Sequence, residues 1–227
     1  MTQQPQWMNA PSEHDAELKA DFCATQVAPE PNLCIPDAER FSSYSKLLRS
    51  TAWVSRFIGN LKRKVNKQSL VEGALTADEI GHAERLQCRQ VQSDCFAQEI
   101  HDLRRCGQVS SSSRLAQLSP VIDEGLIQLK GRTENFPGIA HEAVRPVILD
   151  PKHRVVRLLI QHQHNLSGHH GQERVLNELR QRFWVLTARA AVRRAWNTCQ
   201  VCKNKRAAPV PPEMAPLPTS VTKSEDK

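Results

Sequence analysis

His164, His169, Cys199 and Cys202 stand in the pattern His-x4-His-x29-Cys-x2-Cys, and no other feature of the chain restricts its fold so strongly. Two imidazoles and two thiolates are the donor set of a closed tetrahedral Zn²⁺ site. Cys199-Gln-Val-Cys202 sets two sulfurs on a single turn, close enough for one ion. The 29 residues between His169 and Cys199 have room for two helices that would lack a core of their own, so metal binding and local folding are expected to be one event. Taken alone, Cys-x2-Cys suits a redox pair or a disulfide, and the histidines suit a polar face. Their combination is what favours a structural metal. His162 and His170 lie close enough to compete as ligands, whereas His141 and His153 carry no such expectation.

The remaining cysteines point to a reducing compartment. There are seven in all, an odd number, and Cys23, Cys34, Cys88, Cys95 and Cys106 stand at no ligand spacing. No charged-then-apolar leader opens the chain, which argues against a secreted disulfide framework. Cys88 and Cys95, seven apart on an expected helix, read as small buried hydrophobes rather than a second metal site. No uncharged apolar run approaches the roughly 18 residues of a membrane span. The expectation is an intracellular protein, with the nucleus ahead of the cytoplasm and no membrane or small-molecule partner.

Fourteen prolines, 5% aromatic residues and a mean hydropathy of −0.52 imply a modest core between solvated ends. Residues 1–40 mix prolines and charges without apolar periodicity, and residues 207–227 are proline-rich, so both are expected to be disordered. Between them, Tyr44, Leu47, Leu48, Val54, Ile58 and Leu61 recur at helical steps, with Trp53 and Phe57 widening a stripe that must dock on something. Thr76-Ala-Asp-Glu79 is a capping box, and the helix it opens is expected to run to Gly107. Val121 to Gly131 reads as two short strands around a turn at Asp123, Glu124 and Gly125, and Val147-Ile-Leu149 as a third. The fold class is therefore mostly α, with a small α+β connector over 41–150 and a zinc-stapled three-helix bundle over 151–206. In that bundle His153 to His162 is expected to feed His164, while Gly168 lets the chain turn His169 back onto the ion. Val175, Leu176, Leu179 and Phe183 are expected to line one helical face, and Ala188, Ala191, Val192, Ala195 and Trp196 another.

Charge is partitioned along the chain. Residues 1–151 carry 17 Lys and Arg against 19 Asp and Glu, residues 152–206 carry 12 against 2, and residues 207–227 carry 2 against 3. Arg180, Arg182, Arg189, Arg193, Arg194, Lys203, Lys205 and Arg206 thus form a one-signed set able to meet a phosphate backbone.

These residues resemble a known family. Leu158-Leu-Ile-Gln-His-Gln-His164, Ser167-Gly-His-His-Gly171, Leu179-Arg-Gln-Arg-Phe-Trp184, Val192-Arg193 and Cys199-x2-Cys202 are similar to the zinc-binding amino-terminal domain of retroelement integrases, most of all the BEL/Pao type of retrotransposon. Upstream, Phe41-Ser-Ser-Tyr-Ser-Lys-Leu-Leu-Arg-Ser-Thr-Ala-Trp53, Arg56-Phe-Ile58, Leu75-Thr-Ala-Asp-Glu79 and Ala83-Glu84 resemble the connector that follows ribonuclease H in that polyprotein. Gly125-Leu-Ile127, Gly131-Arg132, Pro146-Val-Ile-Leu149 and Met214-Ala-Pro-Leu-Pro218 continue the likeness, which covers roughly residues 40–218. It implies a domain that binds DNA ends and supports multimerisation, beside a catalytic core whose three carboxylates hold two metals. After Cys202 the only acids are Glu213, Glu225 and Asp226, so no such core is expected here.

Two functions follow as expectations. One is a non-catalytic zinc module that binds nucleic acid, DNA ahead of RNA, and self-associates. The alternative is a protein-interaction adaptor whose zinc bundle and upstream helices offer apolar faces, the charge serving only solubility. A hydrolase built on Cys199 is disfavoured, because a thiolate tied to zinc is a poor free nucleophile.

Overall fold

The computed structural model describes residues 35–131 and 144–208. Helix α1 (Tyr44–Val65) buries Tyr44, Leu47, Leu48, Thr51 and Ala52, the first half of the expected stripe. The second half docks only in part: Arg56 is buried and Val54 and Ile58 are half-buried, while Trp53 and Phe57, on the side of the helix opposite Leu48 and Thr51, stay exposed, as do Leu61 and Val65 near its end.

Helix α2 (Ala77–Cys95) opens at the capping box: the Thr76 hydroxyl accepts from the Glu79 N–H, and the Glu79 carboxylate accepts from the Thr76 N–H. The periodicity predicts one helix to Gly107, but the chain breaks at Phe96 (φ −133°) and restarts as α3 (Ala97–Cys106). The break buries the Phe96 ring completely, among Leu103, Leu115, Ile127 and Ile148. No proline or glycine marks it. Gly107 ends α3 in the left-handed region (φ 68°), as its residue type suggests.

Strands β1 (Pro120–Asp123) and β2 (Leu126–Leu129) form a hairpin whose two turn residues, Glu124 and Gly125, both have positive φ. β3 (Val147–Leu149) meets β2 antiparallel through the single pair Gln128↔Val147. Where those strands part, the buried Gln92 side chain completes the ladder. Its amide donates to the carbonyls of Ile127 and Ile148 and accepts from the Ile127 N–H, each at 2.8 Å.

The connector over 41–150 and the zinc-stapled helices over 151–206 share one sheet. After β3 come α4 (Arg154–Leu166) and α5 (Gln172–Arg180), then β4 (Phe183–Val185), which pairs parallel with β3 in the order β1-β2-β3-β4. Phe183 is therefore a strand residue rather than part of a helical face, and Trp184 follows it on the same strand. An aromatic and β-branched Phe-Trp-Val run suits a strand once α5 has ended at Arg180. Strand alternation sends Leu149, Phe183 and Val185 into the main core, and Ile148 and Trp184 to the cluster around Phe96.

The main core unites Leu47 and Leu48 of α1 and Cys88 and Val91 of α2 with Leu158, Leu159, Leu176 and Leu179 of α4 and α5. Helix α5 thus has a core after all, supplied by the upstream helices. Polar contacts reinforce the join, since Glu84 accepts from the Tyr44 hydroxyl at 3.0 Å and from the Arg182 guanidinium. Cys88 is buried, which pushes its thiol up to about 12, so it serves as the small hydrophobe expected of it.

Helices α6 (Ala188–Thr198) and α7 (Gln200–Arg206) complete the chain's described part. Within the expected amino-terminal arm, Ala38–Arg40 instead form a turn with Ala38 buried and Glu39 facing Arg154 and Arg157 at 3.8 Å. Residues 1–34 of that arm, the tail from residue 209, and His141 lie outside the described residues. Among the described residues no helix is long and apolar enough to cross a membrane.

Candidate metal centre

Helix α4 carries His164 on its last turn and buries it almost completely. The return of His169 needs two consecutive residues in the left-handed region, Gly168 (φ 68°) and His169 itself (φ 60°). Gly168 is fixed by more than its φ, because a Cβ there would meet the His170 ring at 3.0 Å. Cys199 is the residue between α6 and α7, and Cys202 lies buried on the first turn of α7. The ligands thus come from α4, its following turn and the α6–α7 junction, with four helices rather than three around them. α5 supplies none.

The four donor atoms lie within 4.8 Å of one another. His164 Nε2 stands 3.0 Å from His169 Nδ1 and 3.3 Å from Cys202 Sγ, while His169 Nδ1 is 3.3 Å from Cys199 Sγ and 3.8 Å from Cys202 Sγ. A tetrahedral ion with Zn–N near 2.05 Å and Zn–S near 2.3 Å holds its donors about 3.3 Å apart for N to N and about 3.6 Å for N to S. The spacing and chemistry of these side chains fit Zn²⁺. When bound, the ion would supply a fixed junction at one end of the packed helices α4 and α6, joining His164 and His169 to the α6–α7 corner. Four protein donors close the coordination sphere and leave no open position for water or substrate.

The surroundings orient the ligands. Trp196 sets its ring edge-on to His164 with centroids 5.5 Å apart, and the Arg206 guanidinium lies over Trp196 at 5.8 Å. Arg206 also donates to the Cys202 carbonyl within α7 and to Asn197 of α6, and its contacts across to α6 hold α7 against that helix. Burial, with His169 nearby, lowers the pKa of His164 and keeps it neutral, as a ligand must be. Burial, followed by the adjacent Cys199, raises that of Cys202, so ion uptake must displace its proton.

The rival histidines are occupied elsewhere. His162 packs against Tyr44 with ring centroids 5.7 Å apart, and His170 Nδ1 donates to the Ser167 carbonyl. His153 caps α4, its Nδ1 accepting from the Val155 N–H.

Of the basic residues singled out by charge, Arg182 is bonded to Glu84 and Arg189 pairs with Glu173 at 3.2 Å. Arg180, Arg193, Arg194, Lys203 and Lys205 are exposed, with no carboxylate partner among the described residues. Val192 faces the core while Arg193, Arg194 and Asn197 occupy the opposite side of α6, and Arg206 reaches across to Asn197 at 3.3 Å. The residues whose roles sequence reasoning missed are polar: Gln92, which is buried, and Glu84, which is half-buried. Gln92 lies in no motif and Glu84 only in a connector likeness that gives it no role, so only the absence of an apolar residue at a core-facing helical position could have flagged them.

Cluster and closure together define a structural zinc site of the two-histidine, two-cysteine kind. Residues 151–208 match the family model of the integrase zinc binding domain, which makes this segment integrase-related. No curated protein and no solved structure matches the chain.

Proposed function

We propose that residues 151–208 form a non-catalytic, retroelement-derived module that binds nucleic acid, DNA ahead of RNA, on a basic face of α5, α6 and α7, and that supports self-association. The observation carrying this reading is the set of exposed cations, Arg180, Arg193, Arg194, Lys203 and Lys205, without carboxylate partners among the described residues and close in the chain to the His/Cys cluster. Cations paired within a protein gain little from a phosphate, whereas unpaired ones release counterions from the nucleic acid. The closed site supports a non-enzymatic role, since no ligand position is open to substrate. A BEL/Pao-type origin belongs to the same reading and rests on the connector motifs, and a DNA partner would put the chain in the nucleus.

Binding of the zinc-loaded chain to a duplex oligonucleotide, titrated with salt, tests the proposal. With about 5 phosphate contacts, log K falls against log salt with a slope of about −4 to −5. The double variant Arg193→Glu, Arg194→Glu should flatten that slope and lose at least tenfold in affinity. A flat salt response in the parent chain, or an unchanged affinity in the variant, contradicts DNA binding and leaves the adaptor reading, in which the same variant spares protein association.

A further inference from the structure

A second basic surface lies outside the family-matched segment, hidden in the sequence by averaging. Residues 40–71 hold Arg40, Lys46, Arg49, Arg56, Lys62, Arg63, Lys64 and Lys67 and no acidic residue, although residues 1–151 as a whole are slightly acidic. Most of this run is α1, and the exposed face of that helix interleaves cations with aromatic rings. Lys46, Arg49, Trp53, Phe57 and Lys64 follow one another at helical steps along it, all exposed, with Trp53 at 47% and Phe57 at 64%.

Trp53 is held in place from beneath. The Arg56 guanidinium lies under its ring, 4.8 Å from the centroid. That guanidinium is itself immobilised, donating twice to Glu79 and to the carbonyls of Gly73 and Ala74. One face of the indole is therefore backed by a fixed cation while its edge and outer face meet solvent. A ring already fixed in this way loses little further freedom when something flat stacks on it.

We infer that this face of α1 binds single-stranded nucleic acid, unpaired bases stacking on Trp53 and Phe57 while Lys46, Arg49 and Lys64 meet the phosphates. Paired bases offer no open faces to rings on a helix surface, whereas unpaired ones do. Two other occupants fit the face less well. A second copy would set Lys46, Arg49 and Lys64 against their own like charges. A lipid surface favours helices that segregate apolar from basic residues, and here the cations share the face of the rings. The inference deepens the proposed nucleic-acid role but stands on different residues, so the two can fail separately.

The test uses the zinc-loaded full chain with three probes: oligo-dT of 20 nucleotides, oligo-rU of the same length, and an abasic strand with the same phosphates. Trp53→Ala should weaken binding to oligo-dT about tenfold, with a similar loss for Phe57→Ala, while leaving the abasic strand unaffected. Trp53→Phe, which keeps a ring and the fold, should restore most of the affinity. Lys46→Glu with Arg49→Glu should weaken all three strands, and the two homopolymers rank DNA against RNA at this face. Arg193→Glu with Arg194→Glu should change duplex binding while preserving the effect of Trp53→Ala on oligo-dT. Unchanged oligo-dT affinity in Trp53→Ala, or an equal loss on the abasic strand, overturns the inference. So does a loss confined to phosphatidylserine vesicles or to self-association.

Discussion

Residues 44–131 and residues 144–208 share a sheet and a core, yet they hold their shapes by unlike means. In the first region buried polar side chains reach across long stretches of chain, as Gln92 does to β2 and β3 and Arg56 to Glu79. In the second, the final helices have little core of their own, Ala188, Ala191 and Ala195 of α6 lying only half-buried against the shared one. α6 buries only Val192, and α7 buries only Cys202, which is itself a ligand. A helix as short as α7 is not stable by itself in water, so a metal junction replaces the apolar burial it lacks. The comparison teaches that the ion is needed where the core runs out, while α4, α5 and β4 of the same segment rest on the shared core.

The sharpest way to break this contrast is to remove a ligand. Cys199→Ser, or chelation, forfeits an apparent zinc affinity on the order of 10 kcal/mol, and α7 with the carboxy-terminal half of α6 should melt. Hydrogen exchange should report lost protection there while β2, β3 and α2 stay protected. Uniform loss across both regions would erase the contrast. Next in size, Gln92→Leu strands the Ile127 N–H and the carbonyls of Ile127 and Ile148, and should cost about 3 kcal/mol in urea unfolding with zinc content unchanged. Thr76→Ala removes the cap of α2 and should cost about 1 kcal/mol by the same measurement.

The last effect is a pH dependence confined to acid. The Arg56 guanidinium, with the Thr76 N–H, holds the Glu79 carboxylate down to about 2 from an ordinary 4.5. A depressed folded pKa stabilises the fold above the unfolded value, so this contribution is complete above pH about 4.5 and is lost as pH falls through about 2. Urea midpoints across that window should fall in the parent chain and fall less in Glu79→Gln. An identical acid response in the two chains would remove Arg56–Glu79 from the polar scaffold of the first region.

How much was legible in the sequence follows the same division. The ligand set could be read because its donors are chemically rare and two of them have only two residues between them; the capping box and the hairpin turn are equally local. The break at Phe96 could not be read, because nothing there forbids a helix and its cause is a distant apolar cluster. Phe183 continues the helical spacing of Val175, Leu176 and Leu179, and only the pairing of β4 with β3 makes it a strand residue. The exposed aromatic face of α1 looks in the sequence like a docking stripe because periodicity reports that apolar residues share a face, not whether anything covers it. The pairing of Arg182 with Glu84 was out of reach for the same reason, since the partners are 98 residues apart.

X-ray absorption at the zinc edge of the purified chain tests the metal staple most directly. One ion per chain is expected, with two sulfurs at about 2.3 Å, two nitrogens at about 2.0 to 2.1 Å and no oxygen in the first shell. A chain that purifies without zinc and keeps α7 protected, or a first shell of oxygen and nitrogen alone, would contradict it.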